Sequence, residues 1–331
     1  MNDRFTNHRQ VGAKGVRRFS APLRLEMTRF HHQLVLGLSA LMIAFAQPAP
    51  AGAAVEHVVV IGVDGLGAEG VRQAEAPTMR RLMKSGAWTL KARAVRPTSS
   101  SPNWASMIMG AGPDRHGVTS NQWQPYRYDV APVAVGSGGI FPTIFGVLRE
   151  QRPRAKIAVF HDWQDFGRLL ETNAPNVLKH VKDALETCPA AIEYLKEQKP
   201  QFLFIHFDGV DHAGHGFGWN SPQYQRAVEL VDSLVAAILA AVQEAGIQDS
   251  TAVLLTADHG GKGRKHGGDS LEELEIPWIL SGPGIARGKQ LTATVNTYDT
   301  APTLARLFGV KAPAAWIGRP VEEAFAVRTA R

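Results

Sequence analysis

Short apolar runs, rich in β-branched and aromatic residues and bounded by turn formers, recur along the chain at Val58 to Val63, Ile157 to Phe160, Phe202 to Phe207, Ala252 to Thr256 and Trp278 to Leu280. None alternates apolar with polar positions, so each predicts a strand buried on both faces, as in a central, mainly parallel sheet. The segments between them carry helical periodicity. The clearest runs from Pro222 to Ala245, with Ser221 as N-cap, proline at the first helical position and Gly246 just past the end. Its apolar stripe is Tyr224, Val228, Val231, Val235, Ile238 and Val242. Strands alternating with helices predict an α/β fold, a doubly wound or similar sandwich in which ligands collect beyond the carboxyl ends of the strands.

The first fifty-odd residues have another plan. Basic residues up to Arg29 precede an apolar run from Leu34 to Ala46, and QPAPAGAA comes next. That order is the plan of a secretory signal, and the run is too short to span a bilayer. Cleavage after Ala51-Gly52-Ala53 divides the chain into a signal peptide, 1–53, and a single domain, 54–331; Met27 offers an alternative start within the leader. The expected location is periplasmic or secreted, with no stable membrane span after signal cleavage.

Charge changes meaning once the leader is set apart. The whole chain of 331 residues carries a formal +6, but residues 1–53 hold seven Lys or Arg against two acids, a net +5 that leaves +1 for the rest. Without a basic stripe, bulk nucleic acid is excluded as a partner. The lone Cys188 forms no internal disulfide, so stability must come from the core and from bound metal.

The residues just beyond the strands carry chemistry. The first strand ends in VDGLG with Asp64, another in FDGVDHAGHG with Asp208, Asp211, His212 and His215, and another in TADHGG with Asp258 and His259. A single aspartate after a strand is commonly a turn or cap residue. Several such endings on one sheet edge point instead to a metal centre. Carboxylate oxygen together with imidazole nitrogen suits zinc first, since calcium takes oxygen alone. Separately, Thr98, Ser99, Ser100 and Ser101 precede Pro102 and a predicted helix that carries Trp104, Met107 and Ile108 as packing residues. A serine at a helix start sits in positive potential.

In order, VDGL, SSSPNWASMIMGAGPDRHGV, DHAGH, TADHGG, KHGG and TYDTAPTLARLFGV resemble the motifs of the alkaline-phosphatase superfamily, and within it of the type I phosphodiesterase/nucleotide pyrophosphatase group. The resemblance spans Val55 to about Pro320. It implies an alkaline-phosphatase-like three-layer sandwich, a mainly parallel central sheet flanked by helices, and an enzyme that hydrolyses phosphoric esters with two divalent metal ions, zinc as first choice. It implies Ser100 as nucleophile, where threonine is usual, with Ser99 and Ser101 as fallbacks. It implies one metal on Asp64, Ser100, Asp258 and His259, and a second on Asp211, His215 and His266, with Asp208 and His212 as the alternative register. A metal-activated Ser100 is then expected to attack phosphorus in line and form a phosphoseryl intermediate. The Asn103 amide and the backbone N–H groups at the helix start are expected to hold the nonbridging oxygens. His57, His161, His180 and His206 read as structural, and His116 as structural or supporting.

The expected partner is a small-molecule phosphate ester, a nucleotide among the candidates. Sulfatases place an arginine where this chain has Trp104, which disfavours sulfate esters. With no basic residue beside Ser100, a diester or pyrophosphate is favoured over a monoester, unless Arg115, Lys262, Arg264 or Lys265 folds toward the site. Trp123, Tyr126 and Tyr128 offer rings on which a flat leaving group could stack. A phosphomonoesterase, a phosphonate or sulfate ester hydrolase and a non-enzymatic metal-binding protein are the weaker readings.

Overall fold

The computed structural model of the chain describes residues 55–327; the expected leader and its cleavage site lie outside the described residues. The strands are β1 (His57–Val63), β2 (Ala87–Arg93), β3 (Ile157–His161), β4 (Val177–His180), β5 (Phe202–Phe207), β6 (Thr251–Thr256), β7 (Glu275–Ser281) and β8 (Lys289–Gln290). They form one eight-stranded sheet in the order β4-β3-β5-β1-β6-β7-β2-β8. From β4 to β6 every pairing is parallel, whereas β7 runs antiparallel to both β6 and β2. The uninterrupted apolar runs predicted as strands are β1, β3, β5, β6 and the centre of β7.

The helices are α1 (Ala68–Gln73), α2 (Pro77–Ser85), α3 (Ser100–Met109), α4 (Pro113–His116), α5 (Ile144–Gln151), α6 (Ala184–Gln198), α7 (Gly209–Phe217), α8 (Pro222–Glu244), α9 (Leu271–Leu274) and α10 (Thr300–Phe308). Helices α1, α2, α6 and α7 pack on α8, while α4, α5 and α10 pack around α3, giving a layer on each face of the sheet. The whole predicted stripe of α8 is buried, and the Ser221 hydroxyl accepts from the Tyr224 N–H as the cap. Asp232 of α8 accepts the Thr78 and Met79 N–H groups, so it satisfies the start of α2 from within the core.

Helix α3 differs from α8 in being buried all round. Trp104, fully buried, lies edge-on to Phe166 and Phe204. A Cβ on Gly62 of β1 would come within 2.6 Å of its ring, which is why that strand position has no side chain. Trp104→Ala would cost roughly 3–5 kcal/mol.

Candidate active site

The carboxyl ends of β1, β5 and β6 deliver Asp64, Asp208 and Asp258 to one edge of the sheet. Close approach fixes the turn after β1: Gly65 has φ +68°, and a Cβ there would lie 2.7 Å from the Asp211 backbone. The Gly65 carbonyl accepts from the Trp219 indole and the Tyr224 hydroxyl, and its N–H donates to Asp258 Oδ1. Strand ends and turn are thereby held as one rigid piece.

Asp64, Asp258 and His259 form one donor group, and Asp211, His215 and His266 another; within each, the donor atoms lie within 4.8 Å of one another. The first group is buried throughout: His259 Nε2 stands 3.5 Å from Asp64 Oδ1, 3.2 Å from Asp258 Oδ2 and 3.3 Å from Ser100 Oγ. In the second, His215 Nε2 is 3.4 Å from Asp211 Oδ2, His266 Nε2 is 3.7 Å from Asp211 Oδ1, and the two Nε2 atoms are 3.0 Å apart. The rings of His259 and His266 stack with centroids 3.8 Å apart, which joins the two groups.

Each of these histidines hands its Nδ1 to a backbone carbonyl: His259 to Gly260, His266 to Thr98 and His215 to Arg264. A proton on Nδ1 leaves Nε2 as a lone pair facing the cluster, the usual preparation of an imidazole ligand. Asp64 Oδ1, Asp258 Oδ2 and Asp211 Oδ1 are buried with no hydrogen-bond partner. Three orphaned carboxylate oxygens converging on bare imidazole nitrogens fit divalent cations.

The electrostatics agree. Burial, then the charges of Asp64 and Asp208, pushes the Asp211 carboxyl up to about 9, and burial with Asp64 raises Asp258 well above the carboxylate range. Burial opposes ionisation of Asp64 as well, yet His206 and His259, with the Trp104 indole, hold it down at about 2. Burial lowers His259 to about 4. Carboxylates crowded in a dry cluster retain protons that a cation would displace.

Ser100 is the first residue of α3 and only 6% exposed, whereas Ser99 precedes the helix as its N-cap. Asp208 Oδ2 pairs with the outward-facing His212 at 3.1 Å, which keeps His212 away from the cluster, although Asp208 itself adjoins Asp64 and Asp211.

The expectation for Asn103 fails. Its Oδ1 accepts from the Val95 N–H, and its Nδ2 donates to the carbonyls of Val95, Pro97 and Ser99, so the fully buried amide is consumed in shaping the loop before Ser100. Asn121 stands at the helix start instead: its Oδ1 accepts the Ser101 N–H at 2.8 Å. Nothing in the local sequence pairs Asn121 with Ser100; the chain between them returns only through the fold. His116 is buried among α3 contacts and is structural.

Trp123 is buried and, with Thr119, Gln122, Arg127 and Tyr128, lines a cavity of about 340 Å³; Tyr126 is 86% exposed. Lys262 pairs with Glu272, and Arg115 donates to the Ala315 carbonyl, so both have partners outside the cluster. Among the described residues no helix is long and apolar enough to cross a membrane.

The family described as Type I phosphodiesterase / nucleotide pyrophosphatase matches residues 58–137 and 146–275. Human ectonucleotide pyrophosphatase/phosphodiesterase family member 1 is 25% identical over 223 residues, 64% of this chain and 24% of that protein. GPI ethanolamine phosphate transferase 3 of Schizosaccharomyces pombe is 33% identical over 141 residues, 40% of this chain and 14% of that protein. The chain thus spans about a quarter or less of the length of these curated relatives. Murine ectonucleotide pyrophosphatase/phosphodiesterase 5, solved as an inactive variant with AMP, superposes with a TM-score of 0.66 at 14% identity, over 78% of this chain and 96% of that one. A variant of the alkaline phosphatase PafA gives 0.70 at 12% identity, over 83% and 100%. These last two likenesses show the fold.

Proposed function

Because the chain belongs to the type I phosphodiesterase/nucleotide pyrophosphatase family of the alkaline-phosphatase superfamily, we propose that it is an exported two-metal hydrolase that cleaves a phosphodiester or pyrophosphate bond through a phosphoseryl intermediate on Ser100. The observation that carries this reading is Ser100 Oγ at the N-terminus of α3, 3.3 Å from His259 Nε2 of the buried donor group, whose ring stacks on His266 of the other group. Asp64, Asp258, His259 and Ser100 are assigned to one cation, and Asp211, His215 and His266 to the other. When bound, the pair supplies Lewis acidity that lowers the pKa of a serine hydroxyl or water and offsets charge on a departing oxygen.

The residues of the chain do the rest. Ser100 Oγ attacks phosphorus while the bond to the leaving oxygen breaks, and the phosphoryl group passes to serine. The Ser100 N–H, with the helix dipole behind it, is the backbone donor left for a nonbridging oxygen, since the Ser101 N–H goes to Asn121 Oδ1, residue 102 is proline and the Asn103 N–H goes to the Ser99 carbonyl. Asn121, whose Nδ2 has no hydrogen-bond partner among the described residues, takes the donor role expected of Asn103. Water then attacks the phosphoserine, the P–Oγ bond breaks, and Ser100 is restored. A nucleotide is a candidate substrate, since the murine relative was solved with AMP.

The likeness to GPI ethanolamine phosphate transferases supports a second reading, in which an alcohol replaces water in the second half. Both readings are tested with the zinc-loaded mature chain on bis-p-nitrophenyl phosphate, p-nitrophenyl phosphate and p-nitrophenyl sulfate, with and without glycerol. The diester should be cleaved fastest, and Ser100→Ala and chelation should each reduce turnover to background. Glycerol phosphate ester among the products would favour transfer, and turnover unchanged in Ser100→Ala would sink the mechanism.

A further inference from the structure

Asp64 is held by a device outside the donor groups. Trp104 Nε1 donates to Asp64 Oδ2 at 2.9 Å. His206 Nε2 lies 3.4 Å from that same oxygen, a charge contact and not a hydrogen bond, and its Nδ1 lies 3.2 Å from Asp162 Oδ1. Both contacts fall on Oδ2; Oδ1 has no hydrogen-bond partner and is the oxygen nearer His259. We propose that Trp104 and the Asp162–His206 pair are positioning residues that reserve Asp64 Oδ1 for the cation and prevent the carboxylate from turning. The proposal rests on the two-cation reading of the site.

The chemistry of the donors suits the task. An indole N–H donates and cannot accept, so Trp104 fixes the carboxylate without competing for the metal. Its ring cannot swing aside: the Gly62 backbone lies beneath it, and Phe166, Phe204 and His206 meet it edge-on, the last at 4.7 Å between centroids. His206 is fully buried and borrows its orientation from Asp162, itself supplied by the end of β3. The Asp64 N–H donates to the Phe207 carbonyl at 2.8 Å, so backbone and side chain are both tied.

The placing of Trp104 on α3 adds a second consequence. Ser100 and Trp104 stand four residues apart, on one face of the helix a single turn from each other. The helix that presents the nucleophile therefore also orients the carboxylate of the adjoining cation group, and any sliding of α3 would disturb both together.

The test uses the mature chain stripped of metal and titrated with Zn2+ against a chromogenic chelator. Trp104→Phe keeps the ring and removes the N–H. It should weaken the tighter of the two zinc equilibria by about 10–100-fold, the usual effect of losing an outer partner of a ligand. Asp162→Asn acts on the same oxygen through His206, from outside the α3 core, and should weaken that equilibrium in the same direction. Cobalt-loaded Trp104→Phe should also show a changed visible spectrum, as Asp64 turns and offers both oxygens. If Trp104→Phe fails to give the parent's far-ultraviolet circular dichroism, Asp162→Asn decides alone. Folded variants with the parent's zinc affinities and cobalt spectrum would overturn the inference and leave the two-cation reading standing. A parent that takes up no cation would overturn both.

Discussion

The two donor groups are built from different materials. Asp64, Asp258 and His259 are at most 1% exposed and stand beyond central parallel strands. Asp211, His215 and His266 come from one turn of α7 and a loop, and the His215 side chain is 45% exposed. The buried group inherits its spacing from the sheet, where strand separation is fixed, and its outer contacts include the Trp104 indole, the Gly65 N–H and the Gly260 carbonyl. The open group relies on the i, i+4 spacing of Asp211 and His215, closed by His266 across a loop. A rigid, dry set of ligands should hold its cation tightly and release it slowly, while the open set should exchange and admit substrate or water.

The largest expected effect lies in the buried group. Asp258 has its carboxyl raised well above the usual range by burial first and Asp64 second, so in metal-free protein it is a liability that only a cation relieves. Asp258→Asn should bring turnover to background and leave one zinc equivalent per chain by elemental analysis. Its metal-free form should melt no lower than the metal-free parent. The parent should gain about 4 kcal/mol from metal present at a thousand times its dissociation constant, and the variant only the share of the remaining cation. Retention of two zinc equivalents would erase the distinction between the groups.

His215→Ala probes the other side. It should weaken one cation by at least the roughly 10–100-fold that loss of an outer partner costs, and leave the tighter equilibrium unchanged. Turnover lost at trace zinc should return as zinc is raised. In the parent, limiting chelator should likewise remove the cations in two phases. A single phase, or loss that zinc does not restore, would mean that the groups act as one closed site.

The contrast also marks how far the site was legible in the sequence. The strands feeding the buried group were plain because two-sided burial leaves an unbroken apolar run, as in Val58 to Val63. Strand β2 was not, since Lys91 is exposed and its pairing with β7 slips between Thr89 and Ala92. The grouping of Asp211, His215 and His266 came from ordered motifs, because no local spacing ties a loop histidine to α7. Asn103 misled for the opposite reason: adjacency to Ser100 suggested a role, but an amide surrounded by backbone carbonyls with no turn-mates spends its donors locally. Asn121 and the bond from Trp104 to Asp64 depend on chain return and ring orientation, which composition and period do not carry.

The smallest effect concerns the far end of α3, where burial has no cation to answer it. The Val118 N–H donates to His116 Nδ1, so the ring proton is on Nε2 and goes to Ser106 Oγ, which in turn donates to the Pro102 carbonyl. Burial lowers this imidazole from 6.5 to about 3. Below pH 6.5 the unfolded chain binds a proton that the folded chain refuses, so this contribution to stability is whole above 6.5 and is lost as pH falls toward 3. The slope for one group is about 1.4 kcal/mol per pH unit, or roughly 2 kcal/mol between pH 7 and pH 5. In metal-free protein the ligand carboxylates titrate alike in parent and His116→Gln, so they cancel from the difference. The parent should be the more stable at pH 7 by urea unfolding, and its advantage should shrink by about 2 kcal/mol at pH 5. A gap that does not change with pH would show that His116 accepts its proton in the folded core, and that this end of α3 is less dry than the end that carries Ser100.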